Sequence, residues 1–237
     1  MSTAASSKST KKKEKSNFIH DFVKVTGLPS IALWLRPKVI RVGENTKIKG
    51  GYMVFANHSS FIDPFLIHCI FYNRRIHALA TKDIYDTPFK RFACENMLCI
   101  QVDKENFSVD SFHEVVRLLK AGKVVLIFPE GRVILGSEAI HTFKSGVVLM
   151  AYTAGAPILP VYIVPNRKWY NRRIAVIGDP IDIRGMCGKR PSTADFDNIS
   201  KYLQEKELEL KRYYHENYDK ADKNIETNSN KKEEVLK

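Results

Sequence analysis

Short apolar runs that alternate with helical stretches constrain the fold of this chain more than any other feature of its sequence. Runs typical of strands occur at 52–56, 75–80, 97–102, 124–128, 158–164 and 174–178. Stretches with helical periodicity occur at 64–72, 87–95, 108–120, 144–154 and 195–216. This alternation predicts an α/β fold, a single layered domain in which helices flank a mixed or mostly parallel central sheet.

The net charge of the chain indicates an anionic partner. Its 237 residues include 38 Lys and Arg against 26 Asp and Glu, which gives a formal net charge of +12. Such a balance is typical of proteins that bind nucleic acid, an anionic bilayer or phosphorylated substrates. Nucleic acid is the least favoured of the three, because part of the excess charge lies in the N-terminal tail and no helix-turn-helix, RRM or zinc-finger signature is present.

The four cysteines form no CxxC pair; they are Cys69, Cys94, Cys99 and Cys187. This spacing indicates neither a zinc site nor a disulfide framework, and neither a metal nor a cofactor is expected. We interpret these residues as structural thiols in a reducing cytosol.

Two charged tails flank the predicted domain. Residues 1–16 are basic and small polar, without the apolar segment of a secretory signal, and both they and the charged residues 218–237 are expected to be disordered. The α/β domain is therefore predicted over 39–217. The uncharged stretch 146–165 is long enough to span a bilayer, but Gly155 and three prolines favour a helix, a turn and a strand instead. No transmembrane helix is predicted.

Residues 17–38 combine apolar and basic residues in a way that the rest of the chain does not. Gly27 and Pro29 divide this segment, so we expect amphipathic helices with a break between them. A helical hairpin packed on the core is one interpretation, but the lysine-rich residues upstream favour helices that lie in a membrane interface. The side chains predicted to face the membrane are Phe18, Phe22, Ile31, Trp34 and Leu35.

The segment NHSSFIDP, residues 57–64, places a histidine and an aspartate in a loop between two apolar runs, with four residues separating them. Helix initiation explains Asp63 as an N-cap and Pro64 as the first helical residue. It does not explain His58, so a second role for this loop stays open.

Three further segments contain or follow strand-like runs. FPEGRVILGS, 128–137, lies where α/β proteins usually bind ligands; its Gly131 is typical of a turn, whereas a turn does not require Glu130, which favours a functional role. QVDKEN, 101–106, is by itself an ordinary transition from strand to loop. GAPILPVYI, 155–163, shapes a turn and the entry into a strand.

In this order and at these separations, NHSSFID, CIQVDK, FPEGR and APILPVYI resemble the four motif blocks of the glycerolipid acyltransferase family. That family includes the 1-acylglycerol-3-phosphate acyltransferases. The resemblance covers roughly residues 38–180, and HTFKSG, 141–146, resembles the segment that follows the third block.

The chain departs from the family pattern at four positions. Leu98 and Lys104 stand where the second block usually has Gly and Arg, and Arg132 and Val133 stand where the third usually has Thr and Arg. Lysine keeps the charge but loses the fork that holds a phosphate with two bonds. Arg132 can supply a guanidinium from one position earlier. These departures bear on the identity of the acceptor more than on activity.

The resemblance implies an O-acyltransferase that moves a fatty acyl group from a thioester to the free hydroxyl of 1-acylglycerol 3-phosphate. The chain has no GxSxG elbow and no cysteine in a comparable polar loop, so we expect direct attack by the acceptor hydroxyl rather than an acyl-enzyme. In that mechanism His58 removes the proton and Asp63 orients the imidazole.

The resemblance also assigns Glu130 and Gly131 to the acceptor site, and we expect Arg132 and Lys104 to bind the phosphate of the acceptor. The expected co-substrate is a thioester of acyl carrier protein or coenzyme A (acyl-ACP or acyl-CoA). The other expected partners are a lysophospholipid acceptor and an anionic membrane surface, where the protein would lie peripherally on the cytoplasmic face.

Several alternatives stay open. The acceptor could be another lysolipid or glycerol 3-phosphate, and the same histidine and aspartate could hydrolyse a thioester with water. From a different class, the chain could be a catalytically inactive membrane-binding relative or a basic nucleic-acid-binding protein.

Overall fold

A seven-stranded sheet forms the centre of the structure, a computed structural model that describes residues 18–44, 47–81, 87–88, 91, 94, 98–102, 108–129, 146–165, 171–188 and 191–218. Its strands are β1 (Lys38–Arg41), β2 (Tyr52–Ala56), β3 (Ile76–Thr81), β4 (Ile100–Val102), β5 (Val124–Ile127), β6 (Ile158–Ile163) and β7 (Ile174–Ile177). The helices assigned among the described residues are α1 (Phe18–Leu35), α2 (Asp63–Ile70), α3 (Val109–Lys120), α4 (Gly146–Ala154), α5 (Ile183–Met186) and α6 (Thr193–Asn217).

The strands are ordered β1-β7-β6-β2-β5-β3-β4 across the sheet. All neighbouring strands are parallel except β6 and β7, which run antiparallel. The predicted fold class, a mostly parallel sheet flanked by helices, is therefore confirmed. Because β2, β3, β4, β5 and β6 share one direction, they all end at the same edge of the sheet, which we call the carboxyl edge. Strands β1 and β7 begin there.

The six predicted strands are present, and their ends differ from the predicted ones by at most three residues. The predicted helix at 87–95 and the predicted tails lie outside the described residues, apart from a few positions. Strand β1 was not predicted, because its sequence KVIR contributes a single buried residue, Ile40, and so gives no apolar run. The single turn of α5 was also too short for a periodic signal.

Helices cover both faces of the sheet. On one face, Leu66 and Ile67 of α2 pack in a cluster with Val54. On the other, Phe55 packs in a cluster with Val115 of α3. All five residues of β2 are buried for this reason, since a parallel strand covered on both faces has no side exposed to water.

The uncharged stretch at 146–165 folds as predicted. Helix α4 ends at Ala154, and the turn that follows uses Gly155 at a φ of +66°, a conformation that glycine adopts without steric cost. Strand β6 then enters the core. Within the described ranges, no helix is both long enough and apolar enough to cross a membrane.

Helix α1 is one continuous helix of 18 residues that contains Pro29, so the predicted break at Gly27 and Pro29 is wrong. Proline removes one helical hydrogen bond, but burial of apolar side chains on the same helix offsets that loss. Leu28 and Leu35 are 6% and 2% exposed, and α1 packs against α2.

The prediction that Leu35 faces a membrane is also wrong. Leu28, half-buried Ile31 and Leu35 repeat at helical spacing on the face of α1 that packs on the protein, and the last two contact the core cluster around α2. The opposite face carries Phe22, Val25 and Leu33, which are 59%, 63% and 80% exposed, and Trp34 beside it is 48% exposed. The side chain of Phe18 lies outside the described residues.

The two faces of α1 predict different outcomes for the same substitution. Leu35→Ala should lower the free energy of unfolding by about 2–5 kcal/mol, because it leaves a cavity in the core. Leu33→Ala is the matched control and should change it by less than about 0.5 kcal/mol. Urea denaturation followed by circular dichroism measures both, and equal losses would contradict this assignment of the faces.

Candidate active site

The loop after β2 and the segment after β5 meet at the carboxyl edge. The two strands are parallel neighbours, with Phe55 opposite Ile127, so the chain leaves both at the same level. The imidazole of His58 stacks on the ring of Phe128, with centroids 4.0 Å apart and planes inclined by 16°. Contact between these two rings therefore joins the NHSSFID loop to the first residue of FPEGR.

His58 and Asp63 form a hydrogen-bonded pair. Nδ1 of His58 lies 3.1 Å from Oδ2 of Asp63, and the two side chains are 13% and 5% exposed. An ionised carboxylate only accepts hydrogen bonds, so we assign the proton of the neutral imidazole to Nδ1. Nε2 then has a free lone pair, and it makes no hydrogen bond to the described residues. An imidazole held in this way can take a proton from a hydroxyl group or a water molecule bound at Nε2.

The loop itself holds the Asp63 carboxylate. Oδ2 accepts hydrogen bonds from the backbone N–H groups of Ser59 and Ser60, both at 2.7 Å, in addition to the bond from His58. Charge-assisted bonds of this kind are stronger than bonds between neutral groups. A single oxygen thus fixes both the shape of the loop and the orientation of the imidazole.

The prediction that Asp63 caps helix α2 is wrong. Asp63 is itself the first helical residue, and the N-cap position is Ile62, which makes no capping bond through its side chain. The carboxylate does not cap because the N–H groups of the preceding loop engage it. Pro64 occupies the first turn, where its missing N–H costs no hydrogen bond.

Asn57 joins the loop to the neighbouring strand. Its Nδ2 donates to the carbonyl oxygen of Ile163 at 2.9 Å, and its Oδ1 accepts from the N–H of Ile163 at 2.6 Å. Asn57 is 4% exposed, so these bonds satisfy polar groups that would otherwise be buried without partners. This role was not predicted, although an asparagine directly after a buried strand and before His58 is a signal for it.

The four predicted acceptor-binding residues, Glu130, Gly131, Arg132 and Lys104, lie outside the described residues. Their neighbours are described up to Val102 at the end of β4 and up to Pro129 after β5. Both strands end at the carboxyl edge, the edge that also carries His58. The roles of these four residues stay predictions.

Arg173 is a buried basic residue at the carboxyl edge that was not predicted from the sequence. It is 8% exposed and directly precedes β7. Burial lowers the pKa of its guanidinium, and the negative charge of Asp63 partly offsets that effect. An arginine at the start of an otherwise apolar strand was the available signal, but such residues are usually exposed.

The described residues include no group of three or more His, Cys, Asp or Glu that could hold a metal ion. All four cysteines are free thiols. The polar groups described at the carboxyl edge include an imidazole, a carboxylate and a guanidinium.

Comparison with known proteins assigns the chain to a family. A family model described as Acyltransferase matches residues 38–164. A probable 1-acyl-sn-glycerol-3-phosphate acyltransferase of Mycoplasma pneumoniae is 30% identical over 151 residues, which are 60% of this chain and 56% of that protein. The 1-acyl-sn-glycerol-3-phosphate acyltransferase of Bacillus subtilis is 28% identical over 175 residues, 70% of this chain and 86% of that protein.

A solved structure supports the fold. The crystal structure of the 1-acyl-sn-glycerophosphate (LPA) acyltransferase PlsC from Thermotoga maritima superposes with a TM-score of 0.59 at 21% sequence identity. The match covers 83% of this chain and 80% of that one. The matches to the Mycoplasma pneumoniae and Mycoplasma genitalium relatives, by contrast, span only 56% and 55% of the length of those proteins.

The two hydrogen bonds between the Asn57 side chain and the backbone of Ile163, which we call the Asn57 clamp, make a testable contribution to stability. Asn57→Ala should lower the free energy of unfolding by about 1–3 kcal/mol, because it leaves the N–H and carbonyl groups of Ile163 buried without partners. The exposed Asn217, whose Nδ2 donates to the Tyr213 carbonyl, provides the control, and Asn217→Ala should have an effect below about 0.5 kcal/mol. Chemical denaturation measures the free energy of unfolding of both variants. Equal losses in the two variants would contradict a stabilising role for the Asn57 clamp.

Proposed function

The chain belongs to the acyltransferase family, and on that premise we propose that it transfers a fatty acyl group from a thioester to the free hydroxyl of 1-acylglycerol 3-phosphate. The product would be phosphatidic acid. The observation that carries this proposal is the His58–Asp63 pair at 3.1 Å, with its imidazole stacked on the first residue of FPEGR.

In the proposed mechanism His58 acts as a general base. The acceptor oxygen attacks the thioester carbonyl carbon while its proton passes to Nε2 of His58, and a tetrahedral intermediate forms. The intermediate collapses, the carbon–sulfur bond breaks, and the leaving thiolate takes the proton back from Nε2. Asp63 keeps the imidazole in the required tautomer and stabilises the imidazolium that forms between these two steps.

The choice of acceptor rests on the relatives. Proteins of Bacillus subtilis and Borreliella burgdorferi that resemble this chain carry the name 1-acyl-sn-glycerol-3-phosphate acyltransferase. Within that proposal, Glu130 and Gly131 contact the acceptor, and Arg132 and Lys104 bind its phosphate through charge-assisted bonds. Either acyl-ACP or acyl-CoA would serve as the donor.

Removal of the base is the direct test. His58→Ala should lower the rate of acyl transfer by about 10²- to 10⁴-fold, the usual contribution of general-base catalysis, without loss of the fold. His113→Ala, at an exposed histidine of α3, is the control and should keep full activity. A His58→Ala variant that retains more than half of the activity would exclude this mechanism.

The assay should identify the substrates at the same time. Purified protein would be incubated with acyl-ACP or acyl-CoA and a panel of acceptors that includes 1-acylglycerol 3-phosphate, other lysolipids and glycerol 3-phosphate, with products identified by mass spectrometry. An arm without acceptor measures thioester hydrolysis. Hydrolysis at the full rate without acceptor would identify a hydrolase instead, and inactivity in every arm would favour the inactive membrane-binding relative.

We further propose that the exposed face of α1 lies on an anionic membrane surface, so that the protein is peripheral. Phe22, Val25, Leu33 and Trp34 give this face apolar and aromatic side chains. The C-terminal end of α1 lies at the carboxyl edge, since the N–H of Arg173 donates to the carbonyl oxygen of Leu35 at 3.0 Å. This position would bring a lipid acceptor close to His58.

Replacing exposed apolar residues of α1 should weaken membrane binding. The double variant Phe22→Ser, Leu33→Ser should lose at least about tenfold in affinity for vesicles of phosphatidylglycerol and phosphatidylcholine, because apolar side chains that enter the bilayer contribute to binding. Val109→Ser, at a residue of α3 that is 70% exposed, is the control and should bind normally. Vesicle sedimentation measures both, and unchanged binding of the double variant would contradict the proposed orientation.

A further inference from the structure

Arg173 carries a buried guanidinium that the mechanism above does not use. Its side chain is 8% exposed, and its Nε is fully enclosed without a hydrogen-bond partner among the described residues. The other two guanidinium nitrogens also make no hydrogen bond to that part of the chain. Burying a cation without a hydrogen-bonded anion costs free energy, so a bound anion would stabilise this site.

The position of Arg173 follows from the one antiparallel pair in the sheet. Strand β7 runs opposite to β6, so the chain enters β7 at the carboxyl edge, where β2 and β5 end. Side chains alternate between the two faces of a strand. Ala175 and Ile177 pack in the cluster around α2, and Arg173 precedes Ala175 by two residues, so its side chain faces the same side.

Asp63, the first residue of α2, is the acidic group whose charge acts on Arg173. The hydrogen bonds found for its carboxylate fall on Oδ2 and come from His58 and the loop N–H groups, and Arg173 is not among the donors. The guanidinium therefore experiences the charge of Asp63 without a hydrogen bond to it. This arrangement leaves its N–H groups available to a ligand bound beside His58.

Two backbone hydrogen bonds hold Arg173 in place. Its N–H donates to the carbonyl oxygen of Leu35 at 3.0 Å, and its own carbonyl oxygen accepts from the N–H of Lys38 at 2.8 Å. The side chain therefore extends from a backbone held between α1 and β1. Such preorganisation lowers the entropic cost of ligand binding.

We propose that Arg173 binds the phosphate monoester of the acceptor and so contributes to the choice of substrate, an inference that rests on the function proposed above. The planar guanidinium presents parallel N–H groups that match two phosphate oxygens, a match that lysine cannot make. Arg173 would supply the guanidinium that the third motif block lacks at Val133.

Binding should be measured without turnover, in the His58→Ala background. The probes are 1-acylglycerol 3-phosphate, the phosphate-free 1-acylglycerol, and phosphatidylglycerol as a bulk anionic phosphodiester, each in neutral detergent micelles and followed by titration calorimetry. Glycerol 3-phosphate and inorganic phosphate serve as competitors and separate recognition of the lipid from recognition of a free phosphate. Arg172→Gln, at the exposed neighbouring arginine, is the control because it removes the same charge.

We expect Arg173→Gln to weaken binding of 1-acylglycerol 3-phosphate by about 10- to 100-fold and to leave binding of 1-acylglycerol unchanged, because only the first probe carries the phosphate. Arg172→Gln should behave like the parent. Arg173→Lys should recover part of the preference, and it replaces Arg173→Gln in the comparison if the latter does not fold in a thermal melt. The proposal would be overturned if the Arg173 variants preferred 1-acylglycerol 3-phosphate over 1-acylglycerol by the same factor as the parent, or if the parent showed no such preference.

Kinetics with His58 intact separates binding from positioning. A specificity role raises KM for 1-acylglycerol 3-phosphate and leaves KM for the thioester and kcat nearly unchanged. An equal loss of kcat with every acceptor, at constant KM, would mean that Arg173 acts through Asp63 and would overturn the proposal. If the parent protein transfers no acyl group but still discriminates phosphate through Arg173, the proposed function fails and the phosphate site stands.

Discussion

The hydrogen bonds to Oδ2 of Asp63 are the interaction on which the rest of the site depends. One oxygen of a 5% exposed carboxylate accepts from the imidazole of His58 and from two loop N–H groups. These donors compensate for the loss of water around the buried charge. The loop cannot change shape without releasing the imidazole, and the imidazole cannot turn without leaving the carboxylate short of a donor. The orientation of the imidazole and the structure of the loop are therefore one property.

The parallel sheet supplies the second constraint. Motif segments that are far apart in the chain converge because the strands that carry them share a direction and end at one edge. The ring stack of His58 on Phe128 and the clamp of Asn57 on Ile163 then join three of those segments directly. The loop after β2 is thus held from two sides, by the strands on either side of its own.

Sequence reasoning identified the features that periodicity and local chemistry determine. The strands β2, β5 and β6 are fully buried runs, and His58 and Asp63 lie in one short loop, so each was visible locally. The features that were not predicted depend on neighbours distant in the chain. Strand β1 forms because β7 offers it a partner, and Arg173 lies at the carboxyl edge because β7 runs antiparallel to β6. Helix α1 continues through Pro29 because its packing face stabilises it. The sequence pattern also predicted Asp63 as a helix cap, whereas its carboxylate accepts hydrogen bonds from the N–H groups of the preceding loop instead.

The attachment of α1 at both ends has a consequence for how the molecule meets a bilayer. Near its start, Asp21 accepts from Nη2 of Arg75 at 2.6 Å, just before β3; at its end, Leu35 accepts from the N–H of Arg173, just before β7. The helix thus runs diagonally from one edge of the sheet to the other and contacts the domain at both of its ends. If α1 lies on lipid, the tilt and the height of the His58–Asp63 pair above the headgroups are set by the protein. The distance that an acceptor must rise out of the leaflet then becomes a fixed geometric quantity of this fold.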